Sequence, residues 1–178
     1  MNSTEKFQTI LRQGKTSTDD ALQLFDELDI VNLELMMGRW KGSGFHTNHR
    51  MDGLLEAIGW YGKEFVSSDC VHPLLFSEGS NIFKVDPNPT AMNLALSISI
   101  PRQDVLKPVY GAMIKILQTE ESKARVRMME HRGKVSATMI YDYLPINDVF
   151  RQVDENTLLG LMDFKKMEQP FFFVLHRV

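Results

Sequence analysis

Apolar and polar residues alternate with a period of two along much of this chain, which predicts a protein built mainly of strands. The clearest run is Met92, Leu94, Leu96, Ile98 and Ile100, interleaved with Asn93, Ala95, Ser97 and Ser99, so one face of it must be buried. The last third repeats the pattern. Strands at 124–131 and 135–143 flank a turn at Arg132, Gly133 and Lys134; strands at 149–153 and 158–162 flank Asp154, Glu155 and Asn156; residues 171–178 complete the set. This spacing predicts an antiparallel meander closed into a barrel or sandwich. Shorter strands are expected at 63–66, at 71–76, where Pro73 implies an edge or a bulge, and at 82–85 ahead of the Asp86–Pro87–Asn88–Pro89 turn.

Helical periodicity interrupts the strands at three places. Residues 16–28 place Ala21, Leu22, Phe25 and Leu28 on one face, with Ser17 or Thr18 as cap and Asp19 and Asp20 at the positive end of the dipole; this helix is expected over one end of the sheet. Residues 52–58 follow, with Asp52 as cap, Leu54, Leu55 and Ile58 as the apolar face and Gly59 at the exit. Residues 108–117 are the third, with Pro108 in the first turn. Residues 30–37 fit neither period, and their state stays open.

Between the first two helices and just beyond lie two tryptophans among glycines: Gly38, Trp40, Gly42 and Gly44, then Gly59, Trp60, Tyr61, Gly62 and Lys63. Glycine beside an aromatic residue in a strand marks a place where another group comes close. The stretch is expected to shape the closed end of a small barrel with an internal pocket.

Composition narrows the classes of function. The chain has 178 residues and a net charge of -3, and its basic residues are scattered, which speaks against nucleic-acid binding. Cys70 is the single cysteine, so no internal disulfide forms and a reducing compartment is expected. Residues 1–13 are polar, without the apolar run of a signal peptide or membrane span; a cytoplasmic protein with no membrane partner is the expectation.

The chain resembles the GXWXG-type family, whose members pair that motif with a C-terminal domain of unknown function. The resemblance rests on Gly38, Trp40 and Gly42, on Gly59–Lys63, and on Arg125, Arg127, Met128, Gly133, Ser136, Tyr141, Asp142, Pro145, Asp148, Phe150, Gly160, Asp163, Phe172 and Phe173, among others. It places the GXWXG-type region at residues 33–90 and the C-terminal meander at 120–178, and it implies no particular reaction. A looser likeness is to nitrobindin-like barrels of the calycin type, which also open on a Gly-x-Trp-x-Gly-x-Gly segment. In those proteins a histidine near the carboxyl terminus ligates haem, which points here to His176. The two inserted helical segments and the Trp60–Lys63 motif depart from that pattern, so the likeness supports a calycin-like or lipocalin-like barrel better than it supports haem.

The resulting expectation is one α+β domain over residues 1–178, predominantly antiparallel, with two or three flanking helices. Its core would be lined by Trp40, Trp60, Leu94, Leu96, Ile98, Met128, Met139 and Phe172. The expected ligand is one small hydrophobic or amphipathic molecule, with Trp40, Trp60, Tyr61, Lys63, Arg127, Tyr141 and Phe172 as the binding residues. An enzyme of the isomerase, hydratase or cyclase kind is the alternative, with Tyr141, Asp142 or His72 as acid or base. On the 135–143 strand either Tyr141 or Asp142 faces inward, and Asp142 can pair with Arg125 or Arg127. His46, His49 and His72 offer a weak tri-histidine pattern, and Cys70 beside His72 a weak nucleophile. No metal or cofactor is expected apart from the haem alternative. The oligomeric state is left open, a homodimer included.

Overall fold

The computed structural model describes residues 2–90 and 114–178. Two helices lead the chain, α1 (Ser3–Gln13) and α2 (Thr18–Glu27), followed by β1 (Asp29–Ile30), α3 (Leu33–Met36) and β2 (Gly38–Gly44). Then come α4 (Leu54–Ala57), β3 (Trp60–Ser67), β4 (Cys70–Glu78) and β5 (Asn81–Lys84). The carboxyl-terminal part holds β6 (Ala124–His131), β7 (Lys134–Tyr141), β8 (Ile146–Asp154), β9 (Thr157–Phe164) and β10 (Phe171–Arg177). The sheet runs β8-β7-β6-β4-β3-β2-β10-β9, and β9 pairs back onto β8, which closes an antiparallel barrel of eight strands. The two short strands lie off this ring: β1 pairs with the far end of β8, and β5 with the far end of β4. Among the described residues no helix is long and apolar enough to cross a membrane.

Alternation along the strands sorts the apolar residues into two cores. Inward positions put Trp40, Trp60, Phe65, Val126, Met139, Tyr141, Phe150, Phe171 and Phe173 inside the barrel. Outward positions of β8, β9 and β10, among them Val149, Val153, Leu159, Leu161, Phe172 and Val174, form a second core with Phe7, Leu24 and Phe25 of α1 and α2. Each buried phenylalanine contributes about 1.5–3 kcal/mol by leaving water, so the helices are fastened to the wall by their own apolar stripes. Ser17 caps α2 as expected, accepting from the Asp20 N–H at 3.0 Å. The helix covers the side of the barrel and not its end, because the apolar residues that face outward are on β8–β10.

Other expectations need correction. Residues 3–13 form a helix, opened by reciprocal hydrogen bonds between Asn2 and Glu5 and anchored by Phe7. Asp52 does not cap α4, whose N-cap is Gly53; Asp52 instead accepts from the Thr47 and His49 N–H groups and ties down the preceding loop. Met128 is 38% exposed, because β4 pairs with β6 only at Val71–Ala124 and the β6–β7 hairpin runs on past it. Phe172 belongs to the outer core, one position out of phase with Phe171 and Phe173. Strand 92–100, with Leu94, Leu96 and Ile98, and the first part of helix 108–117 lie outside the described residues; Ile114, Lys115 and Ile116 are helical.

Trp40 fills one end of the barrel. Its indole Nε1 donates to the Met36 carbonyl at 2.8 Å, and the Arg177 guanidinium lies 4.2 Å from its ring centroid. That guanidinium in turn donates to the Leu35 and Met37 carbonyls at 2.6 and 3.1 Å, so it satisfies carbonyls at the end of α3. Trp40 and Gly62 meet where β2 crosses β3, and a Cβ on Gly62 would sit 1.9 Å from the Trp40 carbonyl oxygen. With φ at +151° as well, that position accepts only glycine. Gly62→Ala is therefore expected to cost more than about 3 kcal/mol in urea unfolding. Gly79→Ala, at a turn with open space around it, is expected to cost only about 1 kcal/mol.

Candidate functional site

Lys63 enters the barrel because its own strand carries one extra residue, which the neighbouring strand then matches. Residues three apart on a regular strand face opposite sides, yet Trp60 and Lys63 both line the interior. Trp60 pairs with Phe76 and Gly62 with the very next residue, Leu75, so β3 gains a residue there; Glu64 then pairs with His72, so β4 gains one in return. Gly62 absorbs the first bulge. Pro73 sits in the second, where a residue with no N–H leaves no donor unpaired, and its carbonyl accepts from Lys63 Nζ at 3.2 Å.

The ammonium is held by charge and by aromatic faces. Nζ lies 2.8 Å from Asp148 Oδ2, and the two side chains are only 3% and 2% exposed. The ring centroids of Phe173, Trp60 and Tyr141 lie 5.0, 5.7 and 5.7 Å from Nζ, within the range of cation–π attraction. Burial pushes the Asp148 carboxyl above the ordinary carboxylate range, while Lys63 opposes the shift. Burial, with the Asp148 charge added, pushes the Tyr141 phenol well above its ordinary value, so it keeps its proton at neutral pH.

A cavity of about 50 Å³, or about 480 Å³ with the open space at its mouth included, adjoins this cluster. Its remaining wall is apolar, from Ile146, Met162, Phe164 and Phe171, with Met51 and Leu55 of the loop and helix before β3. Two polar atoms on lining residues are buried without a hydrogen-bond partner among the described residues: Trp60 Nε1, a donor, and Asp148 Oδ1, an acceptor. Apolar walls with a few convergent polar groups are what a small-molecule site requires.

The structure brings together three of the residues singled out from sequence, Trp60, Lys63 and Tyr141. The others stand elsewhere. Trp40 is interior but at the filled end, and Tyr61 is half-buried outside the cavity wall. Arg127 points outward and pairs with Asp69. Phe172 is under the helices. Asp142 is exposed, since the inward phase of β7 falls on Ala137, Met139 and Tyr141. His72 is buried on the outer side of β4, where burial and Lys84 lower its pKa. His176 is exposed, sharing the outward phase of Phe172 and Val174, so it does not reach the cavity. His46 lies 3.3 Å from Glu56, His49 accepts from the Met51 N–H, and among the described residues no cluster of metal ligands forms.

Asp148 is the residue that sequence reasoning missed as a site. Its signal was present: Ile146, Asp148 and Phe150 share the inward face of β8, and a lone carboxylate in an apolar row asks for a cation opposite.

Residues 23–80 match the family model described as GXWXG protein, and residues 122–177 match a domain of unknown function, DUF4334. A solved structure, that of a protein from Thermomonospora curvata, matches this chain at 28% identity and a TM-score of 0.73, covering 100% of this chain and 99% of that one. No curated protein matches it. Gly42 of the GXWXG motif is required sterically, since a Cβ there would fall 2.1 Å from the Trp60 ring; the missing side chain makes room for the indole that walls the cavity. Lys63 comes from the first matched region and Asp148 from the second, so the ion pair joins the two.

Removing one partner of a buried ion pair strands the other. Lys63→Met and Asp148→Leu are each expected to cost about 3–5 kcal/mol. The double variant should cost clearly less than the sum, as read from a urea-unfolding double-mutant cycle.

Proposed function

We propose that this protein binds one small, largely apolar molecule with a single polar end, held in the barrel against Trp60, Tyr141, Lys63 and Asp148. One observation carries the reading: Trp60 and Asp148 both line the same apolar cavity, and each holds a buried polar atom, the donor Nε1 and the acceptor Oδ1, with no hydrogen-bond partner among the described residues. A buried polar atom left without a partner costs about 1–3 kcal/mol. A guest that accepts from the indole and donates to the carboxylate recovers that energy, while its hydrocarbon part fills the space among Met162, Phe164 and Phe171. An alcohol or a hydrated carbonyl compound has the required donor and acceptor; a pure hydrocarbon has neither.

The two indoles supply an internal control. Trp40 Nε1–H is already committed to the Met36 carbonyl, and that of Trp60 is not. In a nitrogen–proton correlation spectrum, titration with cyclopentanol is expected to move the Trp60 indole signal along a saturable curve and leave that of Trp40 nearly fixed. A linear drift of both signals, or no movement of either, would contradict the reading.

A further inference from the structure

The site holds a buried primary amine beside a buried carboxylate, which is more than a binding cavity needs. We propose that Lys63 is a nucleophile that captures a small apolar aldehyde or ketone as an imine, with Asp148 carrying the protons. This rests on the cavity being a binding site, and it adds a covalent step and a substrate class.

The geometry supplies each part of that step. Nζ and Asp148 Oδ2 are 2.8 Å apart, so one proton can pass along an existing hydrogen bond and leave a neutral amine beside a neutral acid. Burial raises the proton affinity of Asp148, which suits it to take that proton. Trp60 lines the same wall, and its buried Nε1–H has no acceptor among the described residues, which makes it a donor for a carbonyl oxygen. Neutral amines desolvated in apolar pockets are effective carbonyl nucleophiles.

The atoms balance without any further reagent. The Nζ lone pair forms a bond to the carbonyl carbon as the C–O π pair moves to oxygen, and Asp148 gives that oxygen its proton. The carboxylate then takes a proton from the new C–N nitrogen and hands it to the hydroxyl. Water leaves with the C–O bonding pair as the nitrogen lone pair closes the C=N bond. The product is a protonated iminium opposite an Asp148 carboxylate, the same charges the free site holds. It lies where the rings of Trp60, Tyr141 and Phe173 already face a cation. The cage that stabilises the ammonium therefore also stabilises the adduct.

A purely structural Lys63 makes the opposite prediction, because a nearly fully buried amine should be the slowest lysine to react. The folded protein is incubated with cyclopentanone and sodium cyanoborohydride, which reduces an iminium to a stable secondary amine, and labelling is followed by peptide mass spectrometry. Lys63 is expected to be labelled at least tenfold faster than Lys115, whose side chain is 50% exposed. Saturating cyclopentanol should slow Lys63 alone, and Asp148→Asn should slow it at least tenfold; the wild-type comparison stands if that variant does not fold. Labelling of Lys63 no faster than Lys115 would overturn the proposal. If cyclopentanol still shifts the Trp60 indole saturably, that result removes the imine and leaves the binding reading intact; if it does not, both fall.

Discussion

A carboxylate and an ammonium have been taken out of water at the centre of this barrel, and much of the surrounding geometry serves to make that tolerable. Removing each ion from water costs several kcal/mol even after relaxation. The Lys63–Asp148 contact recovers part of that, and the Pro73 carbonyl and three ring faces recover more. A protein under selection for stability alone has a simpler solution, since apolar residues of the same volume would fill the space at lower cost.

The glycine and tryptophan motif follows from the same constraint. Lys63 faces inward only because Gly62 adopts a backbone that no side chain can follow and lies against the Trp40 carbonyl. Trp60 faces inward only because Gly42 leaves room beneath its ring. Trp40 seals one end under α3 and Arg177, which leaves the cavity toward the other. The glycines and tryptophans thus act as one unit: one tryptophan closes the barrel, the other walls the cavity, and the glycines set where strands and rings approach.

Much of the fold was legible from alternation. The strands of the last third, the helix after Ser17 and the bulge implied by Pro73 all follow from local periods and turn chemistry that the barrel reinforces. The parts that were not legible share a physical reason. Phase along a single strand is visible, but which phase faces inward depends on what covers the other side. Phe172 and Phe173 are indistinguishable by residue type, and only the α1–α2 pair, by covering the outer wall of β8–β10, decides between them. Asp142, read within the strand at 135–143, lies just past β7, and Asp148, read as part of the connection before 149–153, falls inside β8 because the pairing with β9 begins at Ile146. Lys63 faces inward although a regular strand would have placed it opposite Trp60; Pro73 signals the bulge on β4, but the extra residue on β3 that reverses the phase between Trp60 and Lys63 shows only once the two strands are paired.

The most direct test of the buried ion pair is the lysine Nζ spectrum of the protein labelled with nitrogen-15. One ammonium signal, assigned through its loss in Lys63→Arg, should be displaced by ring currents from the main lysine group and exchange its protons slowly with water at neutral pH. A Lys63 signal that overlaps the exposed lysines and exchanges as fast as they do would contradict an ammonium enclosed by Asp148 and three aromatic rings.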